Sequence, residues 1–62
     1  MKVFDYARIK NANDPIINGQ IVVIRGRFNE AFIVEFVNPR PEGYNPAIVL
    51  VAACLEPYKI NN

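Results

Sequence analysis

The chain is predicted to form a small all-β domain of five short strands, with one 3₁₀ turn before the last. Three observations lead there. β-branched and aromatic residues gather in short runs, and each run is bounded by Asn, Gly or Pro. The one stretch that competes for a helix, Ala47 to Glu56, would be apolar nearly all round, a surface so small a chain has no means to cover.

Val3 to Lys10 is the first strand, with Val3, Ala7 and Ile9 on one side and Phe4, Tyr6, Arg8 and Lys10 on the other. Asn11 to Gly19 is a long loop: it holds three asparagines, Asp14-Pro15 and a closing Asn18-Gly19, with Ile16 and Ile17 pinning it to the core. Gln20 to Arg25 carries Ile21, Val22, Val23 and Ile24 in succession and is the second strand. Gly26 to Glu30 turns the chain into a third strand, Ala31 to Val37, hairpin-paired with the second, with Phe32, Val34 and Phe36 opposed to Ile33, Glu35 and Val37.

Asn38 to Pro46 contains three of the five prolines and is an exposed loop, because proline has no N–H to give a central strand or helix interior. For Ala47 to Glu56 two readings stand. Asn45 as a cap, Pro46 at a first helical position and Pro57 beyond the end suit a helix. The β-branched Ile48, Val49 and Val51 favour a fourth strand, Ala47 to Val51, then a 3₁₀ turn over Ala52 to Leu55 and a fifth strand from Pro57 to Ile60. We take the strand reading.

Composition narrows the chemistry. The 62 residues include no Ser, Thr, His or Trp, so there is neither a hydroxyl nucleophile of the Ser or Thr kind nor an imidazole base or metal ligand. Cys54 is the only thiol, with no partner for a disulfide or a thiolate metal site. It is read as a small buried hydrophobe. The carboxylates Asp5, Asp14, Glu30, Glu35, Glu42 and Glu56 lie apart in sequence, without calcium-loop spacing or an acid/base pair. No catalytic residue, metal or cofactor is expected.

A chain this short forms one domain, residues 1–62, and buries only about 60% of its unfolded surface. At 52% apolar it carries more apolar side chains than one small core holds, so some are expected at an interface. Its net charge of +1 gives little long-range pull toward nucleic acid or membrane. Met1 to Asp5 shows no signal pattern, and the longest apolar run, Ala47 to Leu55, is about half a membrane span. A soluble, cytoplasmic protein is expected.

Ala7-Arg8-Ile9-Lys10, Gly19-Gln20-Ile21-Val22, Phe32-Ile33-Val34-Glu35-Phe36 and Val51-Ala52-Ala53-Cys54-Leu55-Glu56, in this order, resemble the small five-stranded SH3-like barrels of bacteria and phages. That group includes KOW-type modules, accessory subunits of photosynthetic electron-transfer complexes and the plasmid-borne, trimethoprim-insensitive dihydrofolate reductase. The resemblance runs from Tyr6 to Ile60 and implies an SH3-like barrel. In the reductase a Val-Gln-Ile-Tyr stretch lines a pore shared by four copies. Here the matching segment is Ile48-Val49-Leu50-Val51, without the amide or phenol that would orient a cofactor, which makes a pore-type reductase the remotest reading.

Two constellations point to binding. Arg25, Arg27 and Phe28 sit at the central hairpin, within reach of Arg8 and Lys10 if the first strand lies beside the second, a basic rim with an aromatic that suits phosphate and base; the ordinary alternative is solvated arginines paired with Glu30 or Glu35. Pro39, Pro41, Tyr44 and Pro46, with Phe4 and Tyr6, suit a groove for a peptide or partner loop, rigid and amphipathic; the alternative is a rigid loop whose Tyr44 packs on its own domain. Ile48 to Val51 is the strand expected to offer side chains to a neighbour. The reading that follows is a non-enzymatic binding module for protein, in a larger or self-associated assembly, with nucleic-acid binding through Arg25 to Phe28 as the alternative.

Overall fold

Five antiparallel strands form one sheet in the computed structural model, which describes Met1 to Lys59. They are β1 (Tyr6–Ile9), β2 (Ile21–Phe28), β3 (Ala31–Phe36), β4 (Ala47–Val51) and β5 (Leu55–Pro57), in the spatial order β4-β3-β2-β1-β5. Two 3₁₀ turns complete the fold, Pro15–Ile17 in the first loop and Ala52–Cys54 between β4 and β5. Among the described residues there is no α-helix.

Alternation sets the core. One face contributes Ala7 and Ile9 from β1, Val22 and Ile24 from β2, Phe32, Val34 and Phe36 from β3, and Leu55 from β5, all buried, with Ile17 reaching in from the first loop. Ile48 and Leu50 of β4 pack half-buried against them. Burying an aliphatic side chain as fully as Ile9 or Ile24 contributes about 1.5–3 kcal/mol.

The sheet has to curl. Laid flat, five strands would hold β4 and β5 about 19 Å apart, whereas the three residues between them span at most about 14 Å. Rolling brings the two edge strands toward each other without pairing them, since β4 bonds only β3 and β5 only β1. The expected barrel is therefore an open, curled sheet: twist brings the edges near, and the seam carries no ladder.

Element boundaries differ from expectation at several places, the smallest being that β1 ends at Ile9 rather than Lys10 and β2 begins at Ile21 rather than Gln20. β1 starts at Tyr6 because Phe4 has φ 74°, outside the range of a continuing strand, and Val3 is left exposed rather than facing inward with Ala7 and Ile9. β2 runs on to Phe28 through a register shift between Ile24 and Gly26, which inserts Arg25 as a bulge and leaves Asn29 and Glu30 as the turn. Gly26 has no side chain where Ile33 of β3 lies across it, its Cδ1 3.4 Å from where a Cβ would stand. β5 begins at Leu55, buried opposite Ile9, instead of at Pro57, and the 3₁₀ turn ends one residue earlier than expected; Ile60 lies outside the described residues. β3 ends at Phe36 rather than Val37. Ala47–Val51 is a strand and not a helix. Among the described residues no helix is long and apolar enough to cross a membrane.

Candidate functional site

The two edges of the sheet are built oppositely. β5 is three residues long, and its outward positions are Leu55 and Pro57, because Tyr58 and Lys10 make the ladder bonds with Tyr6 and Cys54 at either end of its pairing with β1. The Leu55 N–H is taken by the Ala52 carbonyl, and proline has none. That edge offers no N–H donor to an incoming strand, and Glu56 adds a charge.

β4 has none of these protections. The Phe36 N–H bonds the Pro46 carbonyl and the Ala52 N–H bonds the Glu30 carbonyl. With the register pairing Val34 to Ile48 and Phe32 to Leu50, every second residue of β4 is committed to β3. Antiparallel alternation then turns the N–H and C=O groups of Ala47, Val49 and Val51 outward. Within β4 there is no charge, no proline and no bulge, the features by which a sheet edge ordinarily repels pairing.

A groove runs along this edge. Its volume is about 520 Å³; Ile48, Val49, Leu50 and Val51 form one bank, Ala12, Asn13, Asp14 and Ile17 the other, with Cys54 and Tyr44 completing the lining. Asp14 caps the first 3₁₀ turn by accepting the Ile16 N–H at 3.0 Å, and Pro15 suits the first position of that turn. The Tyr44 hydroxyl donates to the other oxygen of the Asp14 carboxylate. Those two bonds, the tyrosine's first, hold the Asp14 carboxyl below its ordinary value, and the same contact raises the Tyr44 phenol. Cys54 is half-buried, its thiol directed at the Asn11 carbonyl at 3.7 Å, a packing role rather than an activated one.

On the outer face, Val49 and Val51 are 58% and 52% exposed. Their ladder partners Ile33 and Ala31 extend the row to Phe28, itself 65% exposed. An apolar stripe thus crosses three strands and ends at the bare edge.

The residues singled out from sequence divide among separate places. Arg27 pairs with Phe32 and Phe28 with Ala31, so they lie on opposite faces, and the Arg27 side chain donates to the Asn29 carbonyl at 3.3 Å. Arg25 lies 5.6 Å from the Phe4 ring centre and 3.9 Å from Glu35; Arg8 lies 5.3 Å from the Tyr58 ring and 3.9 Å from Glu56. Each of these two guanidiniums already has an aromatic and a carboxylate, and Arg8, Arg25 and Arg27 do not converge on one basic rim. Phe4 and Tyr6 line a groove of about 290 Å³ with Pro57 and Tyr58, apart from Tyr44, which stands edge-on to Phe36 at 6.1 Å. Pro39, Pro41 and Tyr44 line a separate groove of about 520 Å³ within their own loop, so the single aromatic groove expected from sequence is two.

Asp14, Ala12, Ile17 and Tyr58 are not among the binding residues expected from sequence. Asp14-Pro15 ahead of two isoleucines was a legible cap signal, but which strand it would face is fixed by the curl of the sheet. Among the described residues no group of three His, Cys, Asp or Glu side chains could hold a metal. Neither a family model, nor a curated protein, nor a solved structure matches the chain.

Proposed function

We propose that this chain is a non-enzymatic protein-binding module, an SH3-like barrel left open at one seam, that takes up an extended polypeptide strand along β4. The observation that carries the reading is the contrast between the edges: β5 without a free N–H donor, β4 with three outward-facing residues and no protection. Strand addition draws affinity from main-chain bonds and specificity from alternate side chains. Here the groove would receive the inward side chains of an added strand, and Val49 and Val51 would flank the outward ones. The strand order and the 3₁₀ turn before β5 support the barrel reading.

Amide hydrogen exchange tests this. A partner captured from the native host should protect the amides of Ala47, Val49 and Val51, and Val49→Lys should abolish capture while the fold persists. Capture that survives Val49→Lys, with exchange at those amides unchanged, overturns the reading.

A further inference from the structure

The geometry points to a second copy of this chain as the strand that β4 receives, paired antiparallel about a two-fold axis through Val49; this rests on the strand-addition reading above. Charge supports a copy. Between Glu42 and Glu56 no residue is ionisable as acid or base except Tyr44 and Cys54, so the edge fits a neutral apolar strand, and β4 is such a strand. Two copies meet there without opposed like charges.

The register is self-complementary. With Val49 on the axis, Val49 faces its counterpart, and Ala47 faces Val51 of the other copy. The Val49 pair exchanges both of its bonds, and in each Ala47–Val51 pair the Val51 N–H donates to the facing Ala47 carbonyl, the Val51 carbonyl being the first acceptor of the 3₁₀ turn that follows it. On the inner face Ile48 then lies beside Leu50 of the other copy, and both approach the groove. On the outer face the stripe from Phe28 to Val51 becomes continuous across the axis.

Area sets the strength. Two five-residue edges with their flanking valines cover on the order of 300 Å² per copy, below the standard size of specific interfaces, so the pair is a weak one. Dissociation in the high-micromolar range or weaker is expected, insensitive to salt because no ion pair contributes.

Light scattering of the pure chain across a dilution series, with and without Val49→Lys, gives the first test. The expected result is a monomer–dimer equilibrium for the native chain and a folded monomer for the variant. Single cysteines in a Cys54→Ala background then read the register without requiring Val49→Lys to fold. Val49→Cys should cross-link to itself, since facing Cα atoms of a bonded pair lie about 5.5 Å apart, within disulfide reach. Val51→Cys should not, being displaced from its counterpart by about 13 Å along the strand, but mixed with Ala47→Cys it should give the heterodimer. A chain monomeric at all concentrations, or equal self-cross-linking at positions 49 and 51, overturns the proposal. A monomer that still binds a host protein with protected β4 amides removes the second copy and leaves strand addition standing.

Discussion

The Tyr44 hydroxyl donates to the Asp14 carboxylate across thirty residues of chain, joining the proline-rich loop before β4 to the 3₁₀ turn between β1 and β2. Both residues line the groove beside the β4 edge. The bond ties together two loops that no backbone ladder connects, and so it fixes the groove from one end.

Its pH dependence follows from the two shifts. The Asp14 carboxyl is held below 3.8 in the fold, so its contribution is complete above 3.8 and is lost as pH falls through the folded value. The Tyr44 phenol is raised above 10.0, so its contribution is complete below 10.0 and is lost as pH rises through the folded value. Tyr44→Phe should flatten the alkaline loss and return the Asp14 titration, followed by carboxyl NMR, toward its ordinary value. An unchanged Asp14 titration in Tyr44→Phe would show that the bond does not form in solution.

Gly43 delivers Tyr44 to that bond. The Tyr44 N–H returns to the Pro41 carbonyl at 3.2 Å, and Gly43 between them has φ 90°, where a side chain is strained although space is open around it. Gly43→Ala should cost about 1–2 kcal/mol, seen as a lower midpoint in urea, whereas Asn at the same position should cost less.

Phe4 occupies the left-handed region with a large side chain, held by its N–H to the Ile24 carbonyl at 2.6 Å. Its ring meets Arg25, a contact of about 0.5–1 kcal/mol at an exposed site. Phe4→Ala loses the ring and keeps the strain; Phe4→Gly loses both. Thermal melts should therefore find the glycine variant at least as stable as the alanine one, the reverse of the usual order within a strand.

Ile24 is fully buried at the centre of β2, and truncation there leaves a cavity. Ile24→Ala should cost about 2–5 kcal/mol. Stability scales at about 0.05–0.15 kcal/mol per residue, about 3–9 kcal/mol for 62 residues, so this variant should lose a large share of its stability, seen as a much lower melting midpoint by circular dichroism. A native melt would mean that association or repacking supplies the missing stability.

Local chemistry determined the elements. Alternation placed Phe32, Val34 and Phe36 inward, Ala47–Val51 proved a strand because β-branching and its apolar girth both disfavour a helix, and Ala52 began the 3₁₀ turn. These outcomes depend on neighbours a few residues away, and the sequence contains those neighbours. The places where it misled were set by distant partners. β5 starts at Leu55 because Leu55 meets Ile9, and β2 extends to Phe28 because a bulge at Arg25 lets Gly26 accept Ile33. The candidate site is divided between the two kinds. An apolar run with no charge was visible in the chain as an adhesive strand, but the order β4-β3-β2-β1-β5 alone made it an edge, and the ladder parity to β3 alone turned Ala47, Val49 and Val51 outward. Which segments are extended and which faces are apolar can be read along the chain, since both follow from side-chain sterics and periodicity. Which backbone groups go unpaired emerges only in the assembled sheet, because a hydrogen bond is assigned only once every strand has its neighbour.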